Sequence, residues 1–187
     1  MSPETVQAIQ VAQIPAPKKP KKENPMEKIK IEKVVLSSGA VGADLEKAKK
    51  LLEILSGMKA QVIASVKRIP TFNVRPGLEV GTKVTLRGEK ALELLNKLLG
   101  ALDNTLREKQ ISDNHFSFGI KEYIEIPGTE YQREIGIRGL NVTVDFIKPG
   151  IRTKRKKIKA GKIPKKHNVL KREIIKYMED NFKTTFV

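Results

Sequence analysis

Apolar and polar residues alternate at a spacing of two through residues 28–36, with Ile29, Ile31 and Val35 on one side and Val34 and Leu36 on the other. That period predicts a strand. A small-residue turn follows, Ser37-Ser38-Gly39-Ala40-Val41-Gly42, and the spacing then changes to three and four. Leu45, Ala48, Leu52 and Leu55 predict a helix over 44–56, with Asp44 as its N-cap and Gly57 as its stop. Strands are expected over 60–69, where Val62, Ala64 and Val66 share a face, and over 79–87. In the latter Val80, Thr82, Val84 and Leu86 oppose Lys83, Thr85 and Arg87. Leu92, Leu95, Leu99, Leu102 and Leu106 mark a helix over 89–106. Even spacing returns at Phe116, Phe118, Ile120, Ile124 and Ile126, and again at Leu140, Val142, Val144 and Phe146. A last helix is expected over 168–181, marked by Leu170, Ile174, Ile175, Tyr177 and Met178.

The order β-α-β-β-α-β-β, with one more helix at the end, predicts an α+β fold. It would have an antiparallel-rich mixed sheet of about five strands, helices packed on one face and the other face exposed for RNA. Two amphipathic helices can cover one face of such a sheet and no more. The uncovered face would carry the alternate positions Lys67, Lys83, Thr85 and Arg87, a row of cations and hydroxyls suited to a phosphate backbone.

Charge sharpens this picture. The 187 residues carry 37 Lys and Arg against 21 Asp and Glu, a net +16, which points to a polyanionic partner and in a cell usually to nucleic acid. Residues 26–147 hold 19 basic and 16 acidic side chains, whereas 148–172 hold 12 basic and none acidic. A block so dense in one sign repels itself and is expected to stay unfolded until an anion neutralises it. Residues 1–25 contain five of the ten prolines around Lys18-Lys19-Pro20-Lys21-Lys22. Proline at this density opposes helix and sheet alike, so this is an extended leader, either a passive tail or an arm over a partner. The expected organisation is an extension over 1–25, an α+β RNA-binding domain over 26–147, a basic RNA-contacting segment over 148–167, and a C-terminal helix over 168–187 packing on the domain.

Little in the chain supports catalysis. Without cysteine there is no thiol nucleophile, disulfide or cysteine-bound metal. No apolar run approaches the ~18 residues that span a bilayer, so no membrane partner is expected. Gly77 and Gly81-Thr82-Lys83 fall one residue short of a phosphate-binding loop and lie within an expected strand, where no helix N-terminus follows. His115 and His167 lack carboxylates at ligand spacing, and Glu122 and Glu125 would point to opposite faces of their strand; Asp113 completes no site with them.

Two other segments carry a choice. The turn at 37–42 is either a tight connection needing glycine or a close approach to a sugar–phosphate chain, and the residues do not decide between them. The stretch Arg68-Ile69-Pro70-Thr71-Phe72-Asn73-Val74-Arg75-Pro76-Gly77-Leu78-Glu79 is too long for a tight hairpin. It is either a projecting loop that stacks on RNA or a surface loop folded on its own Phe72. An RNA recognition motif shares the β-α-β-β-α-β order, but its third strand needs stacking aromatics, and 80–87 holds none. Contacts to the backbone and minor groove of a folded, double-helical RNA fit better.

The run Lys83-Val84-Thr85-Leu86-Arg87-Gly88-Glu89 resembles the K-V-T-L-R-G-E block of the large-subunit ribosomal protein L-five family, which binds 5S rRNA. Ile31-Glu32-Lys33-Val34-Val35, Leu55-Ser56-Gly57-Met58-Lys59 and Phe72-Asn73-Val74-Arg75-Pro76-Gly77 agree in order. So do Phe116-Ser117-Phe118-Gly119-Ile120, Ile126-Pro127-Gly128 and Gly136-Ile137-Arg138-Gly139-Leu140. The similarity spans roughly 26–182, and the basic run before Ile163-Pro164-Lys165-Lys166-His167 is similar to the archaeal–eukaryotic branch. Where the family usually has Asn before its glycines, this chain has Ser37-Ser38 and one extra residue.

The resemblance implies a structural constituent of the large subunit in the cytoplasmic ribosome, with no cofactor and no enzymatic activity. It implies 5S rRNA binding in the central protuberance by Ser37, Ser38, Gly39, Lys83, Thr85 and Arg87, with Lys67 and Arg68 beside them. The loop residues Thr71, Phe72, Asn73, Arg75, Pro76 and Gly77 would face the elbow of the P-site tRNA. The domain would also meet a small-subunit head protein in an intersubunit bridge and other 5S-binding ribosomal proteins. For Arg152, Lys154, Arg155, Lys156, Lys157 and Lys159, charge alone points to contact with large-subunit rRNA irrespective of sequence. The rival expectation is a non-ribosomal nucleic-acid-binding or chaperone protein that uses its basic segments on any polyanion.

Overall fold

The computed structural model describes residues 24–187, so all but the end of the Pro/Lys leader lies outside the described residues. The chain runs β1 (Lys30–Gly39), α1 (Ala43–Ser56), β2 (Gln61–Ala64), β3 (Glu79–Leu86), α2 (Glu89–Gly100), β4 (Thr105–Leu106), β5 (Ile111–Ser112), β6 (His115–Ile120), β7 (Leu140–Ile147), α3 (Arg152–Arg155), α4 (Lys171–Phe182) and β8 (Thr185–Phe186). Six strands make one sheet in the order β2-β3-β1-β7-β6-β5, with every neighbouring pair antiparallel. β8 pairs in parallel with β4 and ties down the C-terminus. The expected α+β class and mostly antiparallel sheet are found.

Strand alternation sets the core. Val34 and Leu36 of β1, Val84 and Leu86 of β3, Phe116, Phe118 and Ile120 of β6, and Leu140, Val142, Val144 and Phe146 of β7 are buried on one side. Against them lie Leu51 and Leu52 of α1 and Leu94, Leu95, Leu98 and Leu99 of α2. Phe116 stacks on Phe118 and Phe146 with ring centroids 5.8 and 5.7 Å apart. Tyr177 meets Phe146 edge-on at 5.7 Å and draws α4 onto the same layer, where Ile174 and Met178 are buried.

Several boundaries differ from expectation. α1 is capped by Gly42, not by Asp44, whose carboxylate instead accepts Arg138 Nη2 at 2.8 Å. At its other end Gly57, at φ 63°, donates its N–H to the Glu53 carbonyl as expected of a left-handed stop. β2 ends at Ala64 after a bulge, so Val66 is 88% exposed and not part of a buried row. α2 ends at Gly100, because Asp103 and Asn104 take positive φ and turn the chain into β4; its buried stripe is Ala91, Leu94, Leu95, Leu98 and Leu99, which leaves Leu92 exposed. β6 stops at Ile120, and a single 3₁₀ turn at Tyr123–Glu125 carries Ile126 back to the core.

Residues 148–172, expected to be unfolded without an anion, carry local structure. Arg152–Arg155 form one helical turn, Gly161 N–H donates to the Thr153 carbonyl at 3.0 Å, and His167 Nε2 lies 2.9 Å from the Pro149 carbonyl.

Candidate nucleic-acid interface

Among the described residues, the side of the sheet opposite the core meets a helix only at its Glu32 end, where the single turn of α3 lies over it, and the register places its side chains. Gln61 of β2 pairs with Lys83 of β3, Lys83 with Ser37 of β1, and Ser37 with Asn141 of β7, so the four form one row across the open face. The next row is Thr85, Val35, Thr143 and Ser117. A third is Lys33, Asp145 and His115, in which Lys33 Nζ pairs with Asp145 Oδ2 at 3.0 Å. Lys83, Thr85 and Ser37 are half-buried, which holds their stems against neighbours and leaves the polar ends outward. Arg87 is exposed just past the end of β3.

Of the expected residues, this brings Ser37, Lys83, Thr85 and Arg87 together. Ser38 falls on the other side. It is 6% exposed, and its hydroxyl donates to the Gly139 carbonyl at 3.2 Å, so the open face lacks it. Gly39 ends β1 opposite Gly81, and the Ala40 N–H donates to the Val80 carbonyl at 3.1 Å; the turn is thus a tight connection whose backbone is partly committed. Lys67 and Arg68 follow β2 in the exposed connection to β3, so they stand with the loop at the Gly39–Gly81 end and not in the Lys83 row. Gln61, Asn141, Thr143 and Ser117 share the face and were not anticipated. The polar half of the alternation in 140–147 was the signal, since each buried residue there is followed by one that points away.

The loop before β3 is pinched at its base. Ile69 and Val74 exchange both backbone hydrogen bonds, at 3.0 and 3.1 Å, around a 3₁₀ turn at Pro70–Phe72, and Asn73 closes it at φ 53°. Val74 is 5% exposed and anchors the loop; Phe72 is 73% exposed at its tip. The alternative in which the loop folds on its own Phe72 is therefore excluded. Thr71, Arg75, Pro76 and Gly77 are exposed around it.

Arg152, Lys154, Arg155, Lys156, Lys157 and Lys159 are all exposed. Among the described residues, Lys67, Arg68, Arg75, Lys83, Arg87, Arg152, Lys154, Lys156, Lys157 and Lys159 have no carboxylate within ion-pair distance, so their charges stand free for an anion. None of the described residues groups three or more potential metal-ligating side chains, and no helix there is long and apolar enough to cross a membrane.

Comparison with known proteins identifies relatives over most of the chain. Residues 24–75 match the model of the family described as ribosomal protein L5, and residues 79–177 match the model of that family's C-terminus. The large ribosomal subunit protein uL5 of Nanoarchaeum equitans is 44% identical over 161 residues, covering 84% of this chain and 95% of that protein. Its counterpart in Sulfurisphaera tokodaii is 41% identical over 168 residues, covering 88% and 95%. The one in Sulfolobus acidocaldarius is 39% identical over 170 residues, covering 89% and 96%. These relatives are ribosomal proteins, not enzymes, and the chain belongs to the ribosomal protein L5 family of the large ribosomal subunit.

Proposed function

We propose that this chain is a structural constituent of the large subunit in the cytoplasmic ribosome, and that it binds 5S rRNA in the central protuberance through the open face of its sheet. The observation that carries this is the row Gln61-Lys83-Ser37-Asn141, with Thr85 beside it and Arg87 at its edge. Free cations and hydroxyls are placed there by strand register on one sheet surface, in rows with no aromatic platform. Such a surface suits the phosphates and 2′-hydroxyls of a folded RNA rather than splayed bases. The pinched loop presents Phe72 among Thr71, Asn73, Arg75, Pro76 and Gly77, with Lys67 and Arg68 at its root, toward the elbow of the P-site tRNA. The basic segment over 148–167 adds contacts to large-subunit rRNA. The body over 26–147 and the C-terminal helix over 168–187 would also meet a small-subunit head protein and other 5S-binding ribosomal proteins.

Two measurements test this. The protein should sediment with the large subunit in a sucrose gradient, and the free protein should bind 5S rRNA more tightly than duplex DNA of equal length at the same salt. A non-ribosomal nucleic-acid chaperone would bind both alike and stay at the top of the gradient.

A further inference from the structure

The open face is not uniform in charge. At the end away from the loop, Glu32, Asp113 and Asp145 line a cavity of about 710 Å³, and the basic segment closes it from above with Lys154, Arg155 and Lys162. Glu32 sits where the β1–β7 register shifts between Ile31 and Lys33, so it is the extra residue of a bulge, a device that re-aims a side chain. Its carboxylate is 12% exposed and accepts from Arg155 Nη2, 123 residues further along the chain; Arg155 itself remains 54% exposed. Asp145 is already paired with Lys33. The apolar anchorage of the segment above the cavity lies at its ends, where Ile151 and Ile163 are half-buried, whereas Ile158 between them is 80% exposed. Between those anchors, the contact that ties the segment to the sheet is the Glu32–Arg155 ion pair.

We infer that the acidic end of the sheet, led by Glu32, is a cradle for the 148–168 segment, and that Glu32 is a positioning residue that fixes the segment's cations as a row beside the open face before RNA arrives. One guanidinium nitrogen of Arg155 is spent on Glu32, while Arg152, Lys154, Lys156, Lys157 and Lys159 keep theirs outward. A segment ordered in advance loses less conformational freedom on binding than an unfolded one. The cradle stands on the contacts above. Its consequence for RNA affinity rests on the RNA-binding reading, and the two are separable by experiment.

The variant is Glu32→Gln in the full chain, which keeps the shape and removes the charge. Without RNA, amide exchange over 150–163 at low salt should rise about fivefold, the scale of one partly exposed ion pair, while β1, β3 and β7 stay protected. Wild type in high salt should lose the same protection. The swap of Glu32→Arg with Arg155→Glu should restore it. Binding of 5S rRNA should then weaken in Glu32→Gln, although the variant carries one more net positive charge. Unchanged exchange over 150–163 would overturn the cradle. Raised exchange with tighter RNA binding would overturn the positioning role, because charge counting alone predicts that result. Failure of the wild type to prefer 5S rRNA would remove the RNA-binding reading and leave the exchange result standing.

Discussion

Ser37 and Ser38 are consecutive in β1 and face opposite sides of the sheet. Ser37 stands across from Lys83 on the open face, and Ser38 donates its buried hydroxyl to the Gly139 carbonyl. Gly139 is required there, because a Cβ would lie 2.7 Å from the Lys121 carbonyl oxygen and 2.8 Å from that of Ile120. Ser38→Ala should therefore lose about 1 kcal/mol of stability in denaturant unfolding, the worth of one buried hydrogen bond, and keep its affinity for 5S rRNA. Ser37→Ala should do the reverse. A loss of RNA affinity in Ser38→Ala beyond its stability loss would contradict this division.

Phe72 and Val74 divide the loop in the same way. Removing two buried methyl groups in Val74→Ala should cost about 1–2 kcal/mol, by the scale of core truncations, and lower the melting temperature. Phe72→Ala should leave the melting temperature unchanged, because its ring is exposed. It should weaken association with a tRNA-loaded ribosome by removing a stacking surface worth about 1–3 kcal/mol per base. Thermal melts of both variants, set beside a binding assay, separate anchor from tip.

Most of the sheet was legible because β3 from Thr82 onward and all of β7 alternate between a buried and an open side, so Lys83 and Thr85 could be placed from spacing alone. β1 was harder. The bulge at Glu32 switches faces, and Ile29 and Ile31 pack against the same core as Val34 and Leu36, although they differ in parity. No local pattern announces such a switch. Leucine spacing overextends α2, because leucines continue through Leu102 and Leu106 after the helix has ended, and what ends it is backbone conformation at Asp103 and Asn104. Alternation likewise continued through Ile124 and Ile126 after β6 had given way to a turn. The composition of the basic segment, taken alone, favours an unfolded chain. The partner that holds it, Glu32, lies across the whole length of the domain, and only tertiary structure brings them together.

The start of that segment is fastened by Lys148, whose Nζ pairs with Glu173 at 2.6 Å, and Glu173 also accepts the Leu170 N–H at 3.1 Å as a cap on α4. Burial pushes the Glu173 carboxyl upward. The Lys148 hydrogen bond, the Leu170 N–H and the Lys148 charge together outweigh it and leave the carboxyl below its ordinary value. A depressed folded value means that the carboxylate adds stability above its ordinary titration near 4.5, and that this contribution is lost as pH falls through the lower folded value. Acid should therefore loosen α4, with near-ultraviolet signals of Tyr177 on Phe146 changing along with it. Glu173→Gln should flatten this part of the stability profile, and Lys148→Met should shift it upward in pH.

The unpaired cations of the two surfaces should contribute differently to RNA binding. Those of the basic segment sit on a short turn with no rigid pattern of hydroxyls around them, so they add electrostatic affinity that any phosphate can satisfy. Replacing Lys154, Lys156 and Lys157 together by Gln leaves the Glu32–Arg155 pair intact and removes three charges. The salt dependence of binding should flatten by about 2–3 in log–log slope, at ~0.7–0.9 per phosphate contact, and by the same amount for 5S rRNA and for an unrelated duplex RNA. Arg87 is one charge at the edge of a fixed array, next to Thr85 and Lys83, where shape decides what fits. Arg87→Ala should flatten the slope by no more than about 1 yet narrow the affinity gap between 5S rRNA and the unrelated duplex. Competition binding at two salt concentrations resolves both quantities. Equal narrowing in the two variants would mean that specificity is spread over every cation and is not held by the sheet.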